Sequence, residues 1–146
     1  MSGQPTNDEV QRLVAQHDEH QARAEMLAEQ MEAIQMSIIE CERAVNAIDA
    51  LKDGGEAASL VPIGAGSFVH ARMVKPDRTI ISLGSNVSAE MSSDAAKERL
   101  VDRKEKLAKI LEQMNQTMGD LAKRIQAIQA EASKQAQAGQ VDQAYI

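Results

Sequence analysis

Residues 59–88 read SLVPIGAGSFVHARMVKPDRTIISLGSNVS, and this stretch decides the fold. Short runs rich in branched apolar residues are broken by Gly64-Ala65-Gly66, Lys75-Pro76-Asp77 and Gly84-Ser85-Asn86. That is the punctuation of strands joined by tight turns, with Pro76 pre-set for its turn. The spacing predicts strands over residues 60–63, 68–74 and 79–83, and a short fourth over 87–88. In the second strand Val69, Ala71 and Met73 fall on one face and Phe68, His70 and Arg72 on the other. Two hairpins of this length bury too little apolar surface to stand alone. Their open edges also carry unpaired N–H and C=O groups. Both difficulties disappear if the strands join strands of other subunits, so the sequence predicts an obligate oligomer built through this platform.

Outward from the platform lie two long, Gly-poor segments rich in Ala, Gln, Glu and Met. Thr6 and Glu9 have the spacing of a capping box that opens the first helix. Core positions then recur at Val10, Leu13, His17, His20, Ala24, Leu27, Met31, Ile34, Ile38, Cys41, Val45 and Ile48. The steps alternate three and four throughout, a period of 3.5 that marks a coiled-coil seam. Gly54-Gly55 ends it. Ser92-Ser93-Asp94 offers N-caps for a second helix, whose seam runs Lys97, Leu100, Lys104, Leu107, Leu111, Met114, Met118, Leu121, Ile125, Ile128, Ala132, Gln135. When the chain folds back at the platform, Ile48 faces Lys97, Ile34 faces Leu111 and Val10 faces Gln135, each pair of numbers adding to 145. Antiparallel helices require that mirror relation. At 1.5 Å per residue each arm spans about 60 Å. The expected subunit is a single elongated α+β chain: a helix over residues 6–53, hairpins over 57–90 and a helix over 93–138, with frayed residues from Gly139 onward.

The layers of this seam are uneven. Cys41 faces Lys104 near the platform, the stretch from Ile38 to Leu27 is the firmest, and the far end holds two histidines, Ala132 and Gln135. A weak tip can splay and show apolar side chains to a shapeless partner. By that geometry the tip positions that would hold such a partner are Val10, Leu13 and Val14 at one end, with Ile128, Ala132, Ala136 and Val141 opposite.

Composition narrows the rest. In 146 residues there are one Phe, one Tyr and no Trp, so the core is thin and built of Ala, Leu, Ile and Met. A net charge of −6 with both signs interspersed argues against a nucleic-acid binder. The lone Cys41 excludes an internal disulfide. No apolar run approaches the ~20 residues of a membrane span, and the polar opening MSGQPTNDE predicts no signal peptide and a cytoplasmic protein.

Sharper readings of single motifs are weaker than plain ones. His17-Asp18-Glu19-His20 invites a metal ion, but three converging ligands are not evident and HExxH is absent. Gly64-Ala65-Gly66 lacks the Lys-Ser/Thr of a phosphate loop and reads as a turn. Cys41 sits in the seam with no histidine near, as a small buried hydrophobe. Met31, Met114 and Met118 are core by register, which leaves Met26 and Met36 outside it. No nucleophile–base pair or metal cluster points to an enzyme, and no cofactor is expected.

The segments Leu60-Val61-Pro62-Ile63-Gly64-Ala65-Gly66-Ser67-Phe68-Val69 and Ser82-Leu83-Gly84-Ser85-Asn86-Val87-Ser88-Ala89-Glu90 resemble the linker region of the prefoldin alpha-subunit family, in its archaeal form. The resemblance implies an ATP-independent chaperone subunit. Two alpha and four beta-type subunits would form a hexamer with a double β-barrel body and six coiled-coil arms. Non-native protein clients would be held at the tips and passed to a group II chaperonin. The assembly positions it implies are Leu60, Val61, Ile63, Phe68, Val69, Ala71, Met73, Ile80, Ile81, Leu83 and Val87. The competing reading is an architectural coiled-coil subunit that docks one defined folded partner.

Overall fold

A computed structural model describes residues 7–54, 58–74 and 77–144, with the side chains of 53, 54 and 139–144 left outside the description. The order is α1 (Asn7–Gly54), β1 (Ala58–Gly64), β2 (Ser67–Arg72), β3 (Arg78–Gly84), β4 (Val87–Ser92) and α2 (Ser93–Ala144). The strands form two separate antiparallel hairpins, β1 with β2 and β3 with β4. Residues 36–108 make one compact unit, and residues up to 35 with those from 109 make another.

In the unit of residues 36–108 the two hairpins are copies of one design, offset by 20 residues. Gly64 pairs with Ser67 and Gly84 with Val87, which leaves two-residue loops. Ala65 and Gly66 turn at φ 50° and 71°, Ser85 and Asn86 at 51° and 61°. Positive φ at both loop positions is the type I′ turn, whose twist matches paired strands. Just before each turn the register shifts, so Ile63 and Leu83 bulge out of the ladder. Gly64 and Gly84 follow at φ 108° and 97°, where a side chain would be strained.

Some strand limits differ from expectation. The second strand stops at Arg72, short of residue 74. The fourth runs on to Ser92 and passes straight into α2. Ser-Ala-Glu-Met-Ser has little intrinsic strand preference. Pairing with β3 and the half-burial of Met91 hold it extended. Thr6 and the turn at Lys75-Pro76 lie outside the described residues, but Asp77 is placed: its C=O accepts from the Ser93 N–H at 2.8 Å. Ser92 is the N-cap of α2, its Oγ accepting from the Ala95 N–H at 3.1 Å. The α2 backbone stays helical to Ala144, six residues beyond 138, in a run where Ala and Gln outnumber the weaker helix formers Gly139, Val141 and Asp142.

The core of this unit joins Cys41 and Ile48 of α1, Ala96 and Leu100 of α2, and Ile81 of β3, with Ala44, Val45, Met91 and Leu107 around them. The buried stripe is wider than a two-position seam. Ser37, Ala44, Leu51 and Ala96, one step to the side, are also buried or half-buried. The β3–β4 hairpin covers that side. It is tied down by Arg103 Nη2 donating to the Ser82 C=O at 3.0 Å and by Thr79 and Ser93 sharing a hydroxyl bond at 3.0 Å.

The two lysines in seam positions are settled by their reach. Lys97 and Lys104 are half-buried. Their ammonium groups leave the seam for Asp49 and Glu42 on α1, each at 2.8 Å, while the aliphatic stems remain. Lys52 and Asp94 pair where α1 ends and α2 begins.

In the other unit the buried side chains of α1 are Leu13, His17, His20, Ala24, Leu27, Met31 and Ile34, and those of α2 are Leu111, Met114, Met118, Leu121, Ile125, Ile128 and Gln135, all at least half-buried. These are the seam positions read from the sequence, with two exceptions: Val10 and Ala132 are exposed. Among the described residues of this unit every other side chain is exposed. The stripe here is therefore a narrow seam, where the 3.5 repeat alone sets burial.

Candidate functional site

The two exceptions open a groove. In the unit of residues up to 35 and from 109, Val10, Leu13 and Val14 of α1 stand across from Ile128, Ala132 and Ala136 of α2 around a cavity of about 340 Å³. Six of the seven tip residues expected from the sequence thus meet in one place; the side chain of Val141 lies outside the described residues. The cause is local. Ile128 is half-buried, but Ala132 and Ala136, one turn apart, bring only methyl groups to this wall and stay exposed. Val10 and Val14 are left partly bare at 42% and 56% exposure.

Three polar side chains complete the lining: His17, Gln129 and Gln135. The Gln129 amide nitrogen lies 3.3 Å from His17 Nε2. An amide N–H donates there only to an unprotonated ring nitrogen, so the bond depends on the imidazole tautomer; the ring's other nitrogen is Nδ1. That nitrogen faces Asp18 Oδ1 at 3.6 Å. Gln129 lies beside the seam, so register alone did not single it out. Gln135 Oε1 and, deeper in the same unit, His20 Nδ1 are buried with no hydrogen-bond partner among the described residues. Each such group costs about 1–3 kcal/mol. The helix pair is therefore held less firmly here than its apolar layers alone would hold it. Among the described residues no three His, Cys, Asp or Glu side chains gather as metal ligands. His17 and His20 occupy seam layers instead.

The second candidate surface is the β1–β2 hairpin. Leu60, Val61, Ile63, Phe68 and Val69 are all exposed, Phe68 at 59%, while Ala71 and Met73 are half-buried. The register puts Leu60, Pro62 and Phe68 on one face and Val61, Val69 and Ala71 on the other, so both faces are apolar. On the β3–β4 hairpin Ile80, Leu83 and Val87 are exposed. Ile81 corrects the sequence reading: it was counted with the surface that meets neighbours, but at 6% exposure it is already enclosed in the core of its own chain. It shares that core with the small residues Ala44 and Ala96, which leave room for the hairpin on the helices.

Residues 20–138 match the family model for prefoldin subunits. The chain is 42% identical over 132 residues to the prefoldin subunit alpha of Methanosarcina mazei and 43% identical over 132 residues to that of Methanosarcina acetivorans, covering 88% of this chain and 93% of each relative. Among solved structures it resembles the filamentous prefoldin of Methanocaldococcus jannaschii, with a TM-score of 0.64, 26% identity and coverage of 86% of this chain and 98% of that one. It shares its fold with the prefoldin beta subunit of Thermococcus strain KS-1 at a TM-score of 0.61 and 17% identity, covering 92% of this chain and 96% of that one. Two long helices, two antiparallel hairpins and this match along most of its length lead to one conclusion: the chain belongs to the prefoldin family of ATP-independent chaperones and stands with its alpha subunits.

Proposed function

We propose that two copies of this chain assemble with four beta-type subunits into a cytoplasmic hexamer, in which the hairpins build a shared β body and the apolar groove of each helix pair holds part of a non-native protein. The client is then handed, without nucleotide, to a group II chaperonin. The observation that carries this reading is the groove itself. It is a patch of Val, Leu, Ile and Ala left open between two helices that are otherwise zipped shut. An adaptable apolar surface that binds weakly suits partners without fixed shape. The exposed apolar side chains of the β1–β2 hairpin supply the reason to assemble, since a two-stranded ribbon with bare faces needs a cover. No helix among the described residues is long and apolar enough to cross a membrane.

The test uses the chain mixed with a beta-type subunit. The expected mass is that of the hexamer, and the complex should suppress aggregation of a denatured enzyme with no nucleotide present. Replacing Val14→Asp and Ala132→Glu together should leave the mass unchanged and weaken suppression several-fold. Suppression that survives both changes would remove the groove from the proposal, and a monomer that ignores the beta-type subunit would remove the assembly.

A further inference from the structure

Resting on the reading of the groove as the client site, we infer that it receives its client as a short amphipathic helix, about two turns long, with an uncharged aliphatic face and a basic residue on one flank. The argument begins with the walls. Both are α-helices, whose backbone N–H and C=O groups are consumed within the helices themselves. The groove therefore offers no strand edge. An extended client would bring one donor and one acceptor per residue and find side chains alone to answer them. Of those, Gln129 and His17 are already joined, and Gln135 Oε1 is turned inward. Each unanswered group in an apolar groove loses its water and gains nothing in return. A helical client carries its backbone hydrogen bonds with it and presents only side chains.

The shape agrees. Val10 and Val14 on one wall, and Ala132 and Ala136 on the other, are each four residues apart and so lie one turn apart on one face. The lined stretch from Val10 to His17 rises about 10 Å, the length of two helical turns. The alanine wall allows a third helix to come close. The cavity of about 340 Å³ has room for a few aliphatic side chains and not for a folded surface. Charge sets the flank. No lysine, arginine or carboxylate lines the groove. Asp18, one turn beyond Val14 and next to His17, is 74% exposed and meets no lysine or arginine among the described residues. A basic side chain beside the aliphatic face of the client would sit over it.

The experiment uses the assembled complex with methyl groups labelled in this chain alone, so that binding is read at Val10, Val14 and Ile128. Three peptides of equal length are compared. The first is a helix former with leucines at i, i+3, i+4 and i+7 and lysines behind. The second is the same peptide with a central proline, and the third alternates valine and lysine. The helix former should perturb these methyls with at least ten-fold tighter binding than the other two. Ala136→Glu should abolish the difference, and Asp18→Asn should weaken only lysine-flanked peptides, by a few-fold. If the proline or alternating peptide binds within two-fold of the helix former, the inference is overturned. Should that happen while Val14→Asp with Ala132→Glu still disables aggregation suppression, the groove remains the client site and only its preference for helix falls. Peptides that leave these methyls untouched, in a complex whose suppression also ignores the groove substitutions, would overturn both.

Discussion

The two hairpins have the same turns, the same bulge and the same glycine at positive φ, yet one packs into the core of its own helices and the other keeps Leu60, Val61, Ile63, Phe68 and Val69 exposed. Val61 and Ile81 occupy equivalent places, 20 residues apart, at 43% and 6% exposure. Local sequence thus settles how a hairpin turns and leaves open what it packs against. The difference arises elsewhere in the chain. Ala44 and Ala96 make a shallow seat beside the helix seam, and Arg103 and Ser93 hold the β3–β4 hairpin in it. The β1–β2 hairpin has apolar residues on both faces, a pattern of strands that end up covered on both sides.

This contrast can be broken in graded steps. The strongest is Phe68→Asp on the uncovered hairpin. It should leave the helical content seen by circular dichroism unchanged and eliminate the proposed hexamer with beta-type subunits in native mass spectrometry. A hexamer that tolerates it would mean that the apolar faces are not the joining surface. Next is Ile81→Ala on the docked hairpin, a core truncation that should cost roughly 2–5 kcal/mol in chemical denaturation of the chain. Val61→Ala, its counterpart, should change the chain's own stability by less than about 0.5 kcal/mol and weaken assembly instead. Equal effects at the two sites would erase the distinction. Smaller again is Gly84→Ala, which forces a side chain into left-handed backbone at a cost of about 1–2 kcal/mol, with Gly64→Ala matching it because the turns match. Unequal values would show that docking strains one turn. The smallest is Asp49→Asn, which removes a half-exposed ion pair with Lys97 and should cost about 0.2–1 kcal/mol, less still in high salt.

Much of this was legible before any coordinates. Steps of three and four survive any detail of packing, which is why Leu13 to Ile34 and Leu111 to Ile128 fell into the seam as the numbers required. The turns were legible because Gly64, Gly66, Gly84 and Asn86 tolerate the backbone that I′ geometry needs. Less visible was the full length of β4, since only pairing keeps Ser-Ala-Glu-Met-Ser extended. The docking of the β3–β4 hairpin was missed because its signal is faint: alanines one step off the seam at residues 44 and 96. Register placed Lys97 and Lys104 in the seam, but not the ion pairs with Asp49 and Glu42, also seven residues apart, that draw their charges aside. Around the groove the lining residues followed from register, but the His17–Gln129 bond did not, because Gln129 stands outside the repeat.

A ribbon that waits for partners with both faces bare is also open to partners it should refuse. Fibrils grow when identical edges add without end, and for that an edge must be straight and complete in its donors. Pro62 has no N–H to give, and the next residue, Ile63, is the bulge that bends the strand. Three consecutive residues, Pro62 to Gly64, thereby make the β1 edge a poor template for its own repetition. The hairpin whose apolar faces stand exposed is also the one whose ladder is interrupted at a proline.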